Sequence, residues 1–375
     1  KDVVILQVNP NTFITKKVDY TKVQRIAETP KEKLILDNLT IEDQIELLVG
    51  GDLLNVKEGA HDIVAAAGKT TMNLIPKGLG NIVLSDGPAE INITNQLCCK
   101  NTDSKIVPVK VPDEYNWGNF GKMIGSKMCS REGTLIYRYT TGWPVEVLLA
   151  QTWNKELLEE IGVGISKEME KYGITVFLAP GMNIHRNPLC RRTFEYFSED
   201  PFITGTMAAS ITKGIQKNSK TTVSLKHFCC NNSEDNRMHS SSNLSERALR
   251  EIYLKGFELA VRESEPRTIM SSYNSINHLY TANNKELLTD ILRCEWGFKG
   301  LVMTDWNNCV DAGNPVMCPV VGNDLVMPGN NSHLEKLCEA YKEGKITKEI
   351  IRICAGRVLH LILNGVNEVK MNKLQ

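Results

Sequence analysis

The sequence has no excess of either charge, because its 375 residues include 44 Lys and Arg against 44 Asp and Glu. Nucleic acids and anionic membranes attract proteins through a basic excess. The balance therefore argues against both as partners. It is compatible with an uncharged small molecule such as a sugar.

Four recognisable sequence patterns are also missing. The 11 cysteines include no repeated CxxC spacing of the zinc-site type, and their odd number argues against a disulfide framework. No apolar run is long enough to span a bilayer, and no signal peptide is recognisable. No glycine-rich phosphate-binding fingerprint follows the first strand, which argues against a dinucleotide-binding fold. Reduced thiols together with these absences predict a cytoplasmic protein.

Short apolar runs alternate with amphipathic helical patterns through most of the chain. The runs are apolar throughout, as in strands covered by helices on both faces. Six or more such units favour a closed α/β barrel, the (β/α)8 TIM-type fold, over an open sheet. The predicted strands lie near Val83 and at 174–179, 221–225, 268–271, 300–303 and 324–327, and the predicted helices at 41–49, 154–172, 203–217, 245–263, 284–296, 334–344 and 348–363.

The chain divides into a short first segment and the barrel. Residues 1–29 read as an apolar strand at 3–6 and a polar linker, and residues 30–375 read as the barrel. Residues 91–142 show no periodic pattern and are interpreted as an insertion over one face. A long segment of this kind inside a compact domain is more often functional than idle.

Polar residues follow five of the predicted strands, and the carboxyl ends of barrel strands open on one face. We therefore expect distant residues to converge there: Asp86, Arg192, Lys226, His227, Tyr273 and Asp305. A carboxylate beside an aromatic ring, as in Asp305-Trp306, suits attack on an oxocarbenium-like centre. Asp86, Lys226 and His227 can bind several hydroxyls, Tyr273 can orient Asp305, and Trp306 offers a face for sugar stacking.

Each assignment has a structural alternative. Asp305 can instead cap the following helix, and Lys226-His227 can be a surface pair. Glu195 and Glu199 are expected to hold their loop through hydrogen bonds. His239 and the Glu234-Asp235 pair stay open between a solvated loop and the site. Cations near Asp305 are expected to keep it ionised.

Several motifs then resemble glycoside hydrolase family 3. Residues 183–190 read NIHRNPLC and residues 194–201 read FEYFSEDP, followed in order by Lys226-His-Phe, Ser272-Tyr-Asn and Met303-Thr-Asp-Trp. The resemblance implies a retaining exo-β-glycosidase, commonly a β-glucosidase, without metal or cofactor. It implies Asp305 as nucleophile and a sugar subsite formed by Asp86, Arg192, Lys226, His227 and Tyr273. The sequence after Lys226-His-Phe differs from that of the family's N-acetylglucosaminidases.

A retaining glycosidase needs a second carboxyl group about 5 Å from the first. The resemblance implies that a neighbouring sandwich domain supplies it, in a subgroup where that domain precedes the barrel. We therefore expect this chain to be the C-terminal part of a larger protein, with residues 1–8 the tail of a preceding domain. Glu234 or Asp235 as an internal acid is the alternative.

Two departures from the family pattern raise a second hypothesis. Glu90 and Asn92 stand where the family has Gly and Arg, and Arg191 stands where it has Gly. A side chain in place of Gly can shift a loop enough to impair catalysis. The alternatives to a β-glucosidase are thus a decayed sugar-binding barrel, or a relative acting on β-xylosides or other β-linked sugars.

Overall fold

The computed structural model describes residues 18–51, 68–70, 74, 77–93, 96–102, 105–109, 134–137 and 139–366. The predicted strand at 3–6 lies outside these residues. The described strands, in chain order, are β1 (Gly68–Lys69), β2 (Val83–Asp86), β3 (Gln96–Thr102), β4 (Lys105–Val109), β5 (Thr134–Tyr137), β6 (Val176–Leu178), β7 (Thr222–Phe228), β8 (Ser241–Ser242), β9 (Thr268–Ser271), β10 (Ser275–Ile276), β11 (Leu279–Tyr280) and β12 (Leu301–Met303).

The principal sheet closes into a barrel. Strands β2, β6, β7, β9 and β12 pair in parallel in that order. A parallel bridge then joins Met303 to Leu325, and another joins Val326 to Val49. Gly50 pairs with Thr70 next to β1, and β1 pairs with β2, which closes the ring. The predicted TIM-type barrel is confirmed, with one difference: the segment at 68–70 runs antiparallel to both of its neighbours.

Helices cover the outside of this ring. The α-helices are Pro30–Asn38, Ile41–Leu47, Glu146–Ala150, Lys155–Tyr172, Pro201–Gln216, Glu246–Ala248, Lys255–Ser264, Asn308–Asp311, Met317–Val321, Asn331–Lys342 and Lys348–Leu363. Leu249–Tyr253 and Glu286–Glu295 are π-helices, and Thr193–Glu195 and Thr281–Asn283 are 3₁₀ turns. No helix in the described ranges is long and apolar enough to cross a membrane.

Side-chain caps fix where many of these helices begin. Thr29 and Glu32 form a reciprocal capping box, as do Thr40 and Asp43. Asp200 accepts hydrogen bonds from two backbone N–H groups at the start of Pro201–Gln216. Each cap satisfies backbone donors that a helix leaves without partners, and is typically worth about 1 kcal/mol. The first helix of the barrel starts at Pro30, where the sequence predicts the barrel to begin.

Two outer helices cross at glycine positions. A Cβ on Gly214 would lie 2.1 Å from the carbonyl oxygen of Glu159, and one on Gly162 would lie 2.5 Å from that of Ile211. Glycine at both positions lets Lys155–Tyr172 and Pro201–Gln216 approach backbone to backbone. This packing holds the helices behind β6 and β7, the strands that lead into the loops of the site.

The insertion contains more regular structure than the sequence predicts. Strands β3, β4 and β5 form an antiparallel sheet of their own, with β3 in the centre. A second small sheet joins β8 to β10 and β11 beyond the carboxyl ends of the barrel strands. This second sheet anchors the loop that follows β7.

Candidate active site

The site residues predicted from strand ends all lie at the carboxyl ends of barrel strands, namely Asp86 on β2, Lys226 and His227 on β7, Tyr273 after β9 and Asp305 after β12. Arg192 reaches the same place from the long loop after β6. Direct contacts connect these residues, so the predicted convergence of Asp86, Arg192, Lys226, His227 and Asp305 is observed.

Strand β7 is buried over its whole length. Lys226 and His227 are 3% and 2% exposed, which excludes the surface-pair alternative. Phe228 packs edge-on against Phe257 and Trp296, with ring centroids 5.1 and 5.9 Å away. The peptide bonds Lys226–His227 and Phe228–Cys229 are cis. This aromatic packing fixes the end of β7 at the mouth of the barrel.

Lys226 forms ion pairs with carboxylates from two other segments. Its Nζ lies 2.9 Å from Oδ1 of Asp86 and 3.5 Å from Oε2 of Glu195. Burial lowers the pKa of Lys226, but the two carboxylates outweigh it and raise the pKa overall. Lys226 is therefore a fixed cation. Asp86 has a half-exposed side chain, so it is the member of the group that faces solvent.

Arg192 joins the loop after β6 to β7. Its Nε donates to Oε1 of Glu195, its Nη2 lies 3.1 Å from Nε2 of His227, and its Nη1 lies 3.5 Å from Oε1 of Glu234. Burial opposes the charged form, but Glu195 more than compensates, and the pKa of Arg192 is raised. Glu195 thus holds Arg192 and Lys226 together, in agreement with its predicted role in the loop.

His227 is held neutral in one tautomer. Burial, followed by Arg192 and Lys226, lowers its pKa well below 6.5. Because Arg192 can only donate, Nε2 accepts, and the ring proton is assigned to Nδ1, 3.1 Å from the hydroxyl of Tyr196. A sugar hydroxyl that replaces Arg192 at Nε2 must therefore donate its hydrogen.

Asp305 has one carboxylate oxygen with a backbone hydrogen bond and one that is buried and unpaired among the described residues. Oδ1 accepts from the backbone N–H of Trp306 at 2.7 Å. Oδ2 is buried without a hydrogen-bond partner among the described residues, and it lies 3.7 Å from Nε2 of the neutral His227. Helix Asn308–Asp311 has no side-chain cap, so the capping alternative for Asp305 is excluded.

Burial has the largest effect on the pKa of Asp305. Burial raises its pKa from 3.8 to about 6, although Arg192 and Lys226 act in the opposite direction. The cations therefore do not hold the pKa at its usual value, because removing a carboxylate from water has the larger effect here. The carboxylate is still mostly ionised at neutral pH, and more basic than an exposed aspartate.

Tyr273 and Trp306 flank this carboxylate. Burial and the negative charge of Asp305 raise the pKa of Tyr273, so its hydroxyl keeps its proton. The guanidinium carbon of Arg237 lies 4.6 Å from the centroid of the Tyr273 ring, a cation–π contact. Trp306 is partly buried and packs against an apolar cluster that includes Met303 and Met327 of the barrel. The core therefore supports part of its indole.

The structure distinguishes among the residues whose roles the sequence left undecided. Glu234 is bound to Arg192 and Arg237, whereas Asp235 and His239 are exposed. Arg237 is a site residue that the sequence analysis missed. It lies in the loop after β7, which has no periodic pattern and no strand end to indicate its position.

The residues that depart from the family pattern are exposed to solvent. Glu90, Asn92 and Arg191 are all exposed. The backbone N–H of Asn92 donates to the carbonyl of Asp86 at 2.9 Å. Arg192 keeps its contacts with Glu195 and His227 beside the exposed Arg191, so these substitutions are compatible with an assembled site.

The assembled site combines a buried basic carboxylate, two fixed cations and a neutral histidine. No cluster of three or more His, Cys, Asp or Glu side chains suited to a metal is found in the described part of the chain. The protein groups themselves offer a nucleophile and several hydrogen-bonding partners for a hydroxylated ring.

Known proteins resemble the chain over most of its length. A β-glucosidase of Rhizobium radiobacter is 34% identical over 329 residues, and one of Ruminococcus albus is 42% identical over 230. These alignments cover 88% and 59% of the chain, but only 33% and 24% of the relatives. The structure of β-glucosidase 3B from Thermotoga neapolitana in complex with α-D-glucose aligns with a TM-score of 0.74 and 42% identity. That match covers 89% of this chain and 42% of the other.

The family model agrees with these likenesses. Residues 116–361 match the model described as the glycosyl hydrolase family 3 N terminal domain. This range includes Arg192, β7, Tyr273 and Asp305, and it covers well over half of the sequence. The chain belongs to glycosyl hydrolase family 3.

Proposed function

We propose that this chain is the barrel part of a retaining exo-β-glucosidase that releases terminal, non-reducing β-D-glucosyl residues through a covalent glycosyl-Asp305 intermediate. The observation that carries the proposal is the environment of Asp305. A buried carboxylate with an unpaired Oδ2 lies near Arg192, His227 and Tyr273 at the carboxyl ends of the barrel strands. The β-glucosidases that resemble the chain support the same reaction.

The reaction has two displacements. Oδ2 of Asp305 attacks the anomeric carbon as the glycosidic C–O bond breaks, and an acid gives its proton to the departing oxygen. A water then attacks the same carbon, the bond to Asp305 breaks, and the former acid takes a proton from that water. The anomeric configuration is inverted twice and so retained.

The fixed polar groups are assigned to the sugar ring. Asp86 and Lys226 act as a paired acceptor and donor for neighbouring hydroxyls, and Arg192 and His227 contact hydroxyls on the side nearer Asp305. Tyr273 orients the nucleophile through its hydroxyl, and Trp306 provides an apolar face. Because these groups are held by one another before sugar arrives, little rearrangement is needed on binding.

The general acid and base is assigned to a part of the protein outside this sequence. Both oxygens of Glu234 are bound to guanidinium groups, and Asp235 is exposed. The chain spans between about a quarter and two fifths of the relatives cited above. We propose a sandwich domain that precedes the barrel, with residues 1–29 as its tail and linker.

Two alternatives share this site. A barrel that binds sugar without turnover is consistent with the ion pairs that occupy both oxygens of Glu234. A different pyranoside is the other alternative. An exo-α-(1→6)-L-arabinopyranosidase of Bifidobacterium breve is 42% identical over 219 residues, 58% of this chain and 28% of that enzyme.

The test is intact-mass analysis after incubation with 2-deoxy-2-fluoro-β-D-glucosyl fluoride. Fluoride leaves without protonation, so the probe tests the nucleophile independently of the acid. We expect one added fluoroglucosyl group, mapped by peptide digestion to Asp305, and none on Asp305→Asn. The matched control is Asp235→Asn, which removes an exposed carboxylate and should label at the normal rate.

Each outcome separates the hypotheses. A label on a residue other than Asp305 would sink the nucleophile assignment. A folded protein that takes no label but is protected by glucose against heat would favour the binding protein. Faster labelling by the corresponding arabinosyl or xylosyl fluoride would assign the alternative sugar.

A further inference from the structure

Glu234 lies between two guanidinium groups. Its Oε1 is 3.5 Å from Nη1 of Arg192, and its Oε2 is 2.9 Å from Nη1 of Arg237. The Glu234 side chain is 15% exposed, so these contacts are only partly screened by water. Because each oxygen already accepts from a cation, neither is presented to a substrate as an acid.

The two cations come from different loops of the site. Arg192 comes from the loop after β6 and contacts Nε2 of His227. Arg237 comes from the loop after β7 and covers the ring of Tyr273. Two guanidinium groups brought to one carboxylate would repel each other without it. Glu234 therefore links the arginine that contacts His227 to the arginine that covers Tyr273.

The loop that carries Glu234 is fixed on both sides. Nδ2 of Asn232 donates to the carbonyl of Ile184 at 2.6 Å, and Oγ of Ser242 donates to the carbonyl of Cys230 at 3.0 Å. Strand β8 then pairs with β10. A carboxylate on a loop held at both ends can set the distance between its two partners.

We propose that Glu234 is a positioning residue that holds Arg192 and Arg237 at the spacing needed to bind the sugar ring. This inference rests on the proposed function of the site. Asp305 keeps its own contacts with Trp306 and His227, which Glu234 does not touch. Loss of Glu234 should therefore weaken sugar binding more than it slows the chemical step.

The test compares Glu234→Gln with the native chain in two measurements. The first is the dissociation constant for glucose by isothermal titration, which we expect to rise about 10- to 100-fold because misplaced binding groups have effects of that order. The second is labelling by the fluoroglucosyl fluoride. There the concentration giving half-maximal rate should rise in parallel, while the rate at saturation stays within about threefold.

Two further variants distinguish positioning from a general loss of structure. Asp235→Asn makes the same charge change on the neighbouring exposed residue, and it should leave glucose affinity unchanged. Glu234→Asp keeps the charge but is one methylene shorter, so it should give an intermediate dissociation constant. It also serves as the test if Glu234→Gln does not fold.

The outcomes separate this inference from the proposed function. Weaker glucose binding by Glu234→Gln, with no labelling of the native chain, would support the positioning role and reject the catalytic one. Unchanged glucose affinity in a folded Glu234→Gln would overturn the positioning role. An equal loss of glucose affinity in Asp235→Asn would overturn the positioning role as well. A native chain that binds no glucose would overturn both proposals.

Discussion

Two buried aspartates on neighbouring strand segments of the barrel, Asp305 and Asp324, have opposite surroundings. Asp324 has no exposed side-chain surface, and both of its oxygens are bound. Oδ1 lies 2.6 Å from Nη1 of Arg357, while Oδ2 accepts from Arg293 and from the backbone N–H of Val302, each at 2.8 Å. Asp305 accepts the backbone N–H of Trp306 at Oδ1, and its buried Oδ2 is unpaired among the described residues.

The difference shows how one fold uses the same residue in two ways. A buried carboxylate with every oxygen paired holds segments together, and here it joins β12 to Glu286–Glu295 and Lys348–Leu363. A buried carboxylate with one unpaired oxygen is unfavourable for folding and available for chemistry. Asp324 therefore belongs to the scaffold that positions Asp305.

The largest expected effect on stability comes from Asp324→Asn. The change removes the negative charge between Arg293 and Arg357, which are both buried, and so leaves two uncompensated cations. Breaking a buried ion pair in this way costs about 3–5 kcal/mol. Urea unfolding monitored by fluorescence measures the loss. A loss below about 1 kcal/mol would mean that Asp324 is not a structural ion-pair centre.

Asp305→Asn should change stability in the opposite direction, by making the folded state more stable at neutral pH. Because folding raises the pKa of Asp305 from 3.8 to about 6, the folded state binds more protons than the unfolded state between these values. Stability therefore falls as pH rises from about 4 to about 6. Above that range the ionised carboxylate costs about 3 kcal/mol, which the amide removes.

Unfolding of Asp305→Asn and of the native chain should be compared at two pH values. We expect the variant to be the more stable at pH about 7.5. The difference between the two free energies of unfolding should shrink toward zero near pH 4. A difference in unfolding free energy that is constant with pH would show that the ionisation of Asp305 does not cause it. A destabilised variant at neutral pH would contradict the contrast with Asp324.

The rate of labelling by the fluoroglucosyl fluoride should follow the same ionisation. Only the carboxylate form of Asp305 attacks, so the rate should fall about tenfold per pH unit below its pKa. With a pKa of about 6, the rate near pH 5 should be about one tenth of its plateau. A full rate at pH 5 would indicate an unperturbed carboxyl group, because exposed aspartates titrate near pH 4.

The positions of the main site residues follow from the strand pattern. Asp86, Lys226, His227 and Asp305 were all predicted from the strands they follow, because barrel topology brings strand ends together whatever their distance in sequence. The depth of burial around Asp305 was not predictable in the same way. It depends on side chains from several strands, and its effect on the pKa of Asp305 exceeds that of the neighbouring cations.

Loops and irregular segments limited the rest of the prediction. Arg237 lies in a loop, where neither helical nor strand periodicity indicates which way a side chain points. The segment at 68–70 closes the ring in the antiparallel sense through very few residues. The π-helix Glu286–Glu295 was predicted only as a helix, since its apolar spacing is close to that of an α-helix.

The smallest effect is expected at Thr304, which connects the two aspartates. Its Oγ1 accepts from the N–H of Met327 at 2.8 Å, so it joins the segment before Asp305 to the segment after Asp324. Thr304→Val keeps the shape and leaves one buried N–H without a partner, which should cost about 1–3 kcal/mol. The rate of labelling of Asp305 should stay within about threefold of the native rate if backbone pairing alone holds the register, a change of less than about 1 kcal/mol in activation free energy.

Thr304→Ser is the control, because it restores the hydroxyl and should recover most of the stability. A loss of labelling with little change in stability would instead mean that Asp305 depends directly on this contact, and that the two aspartates are not separable into scaffold and site.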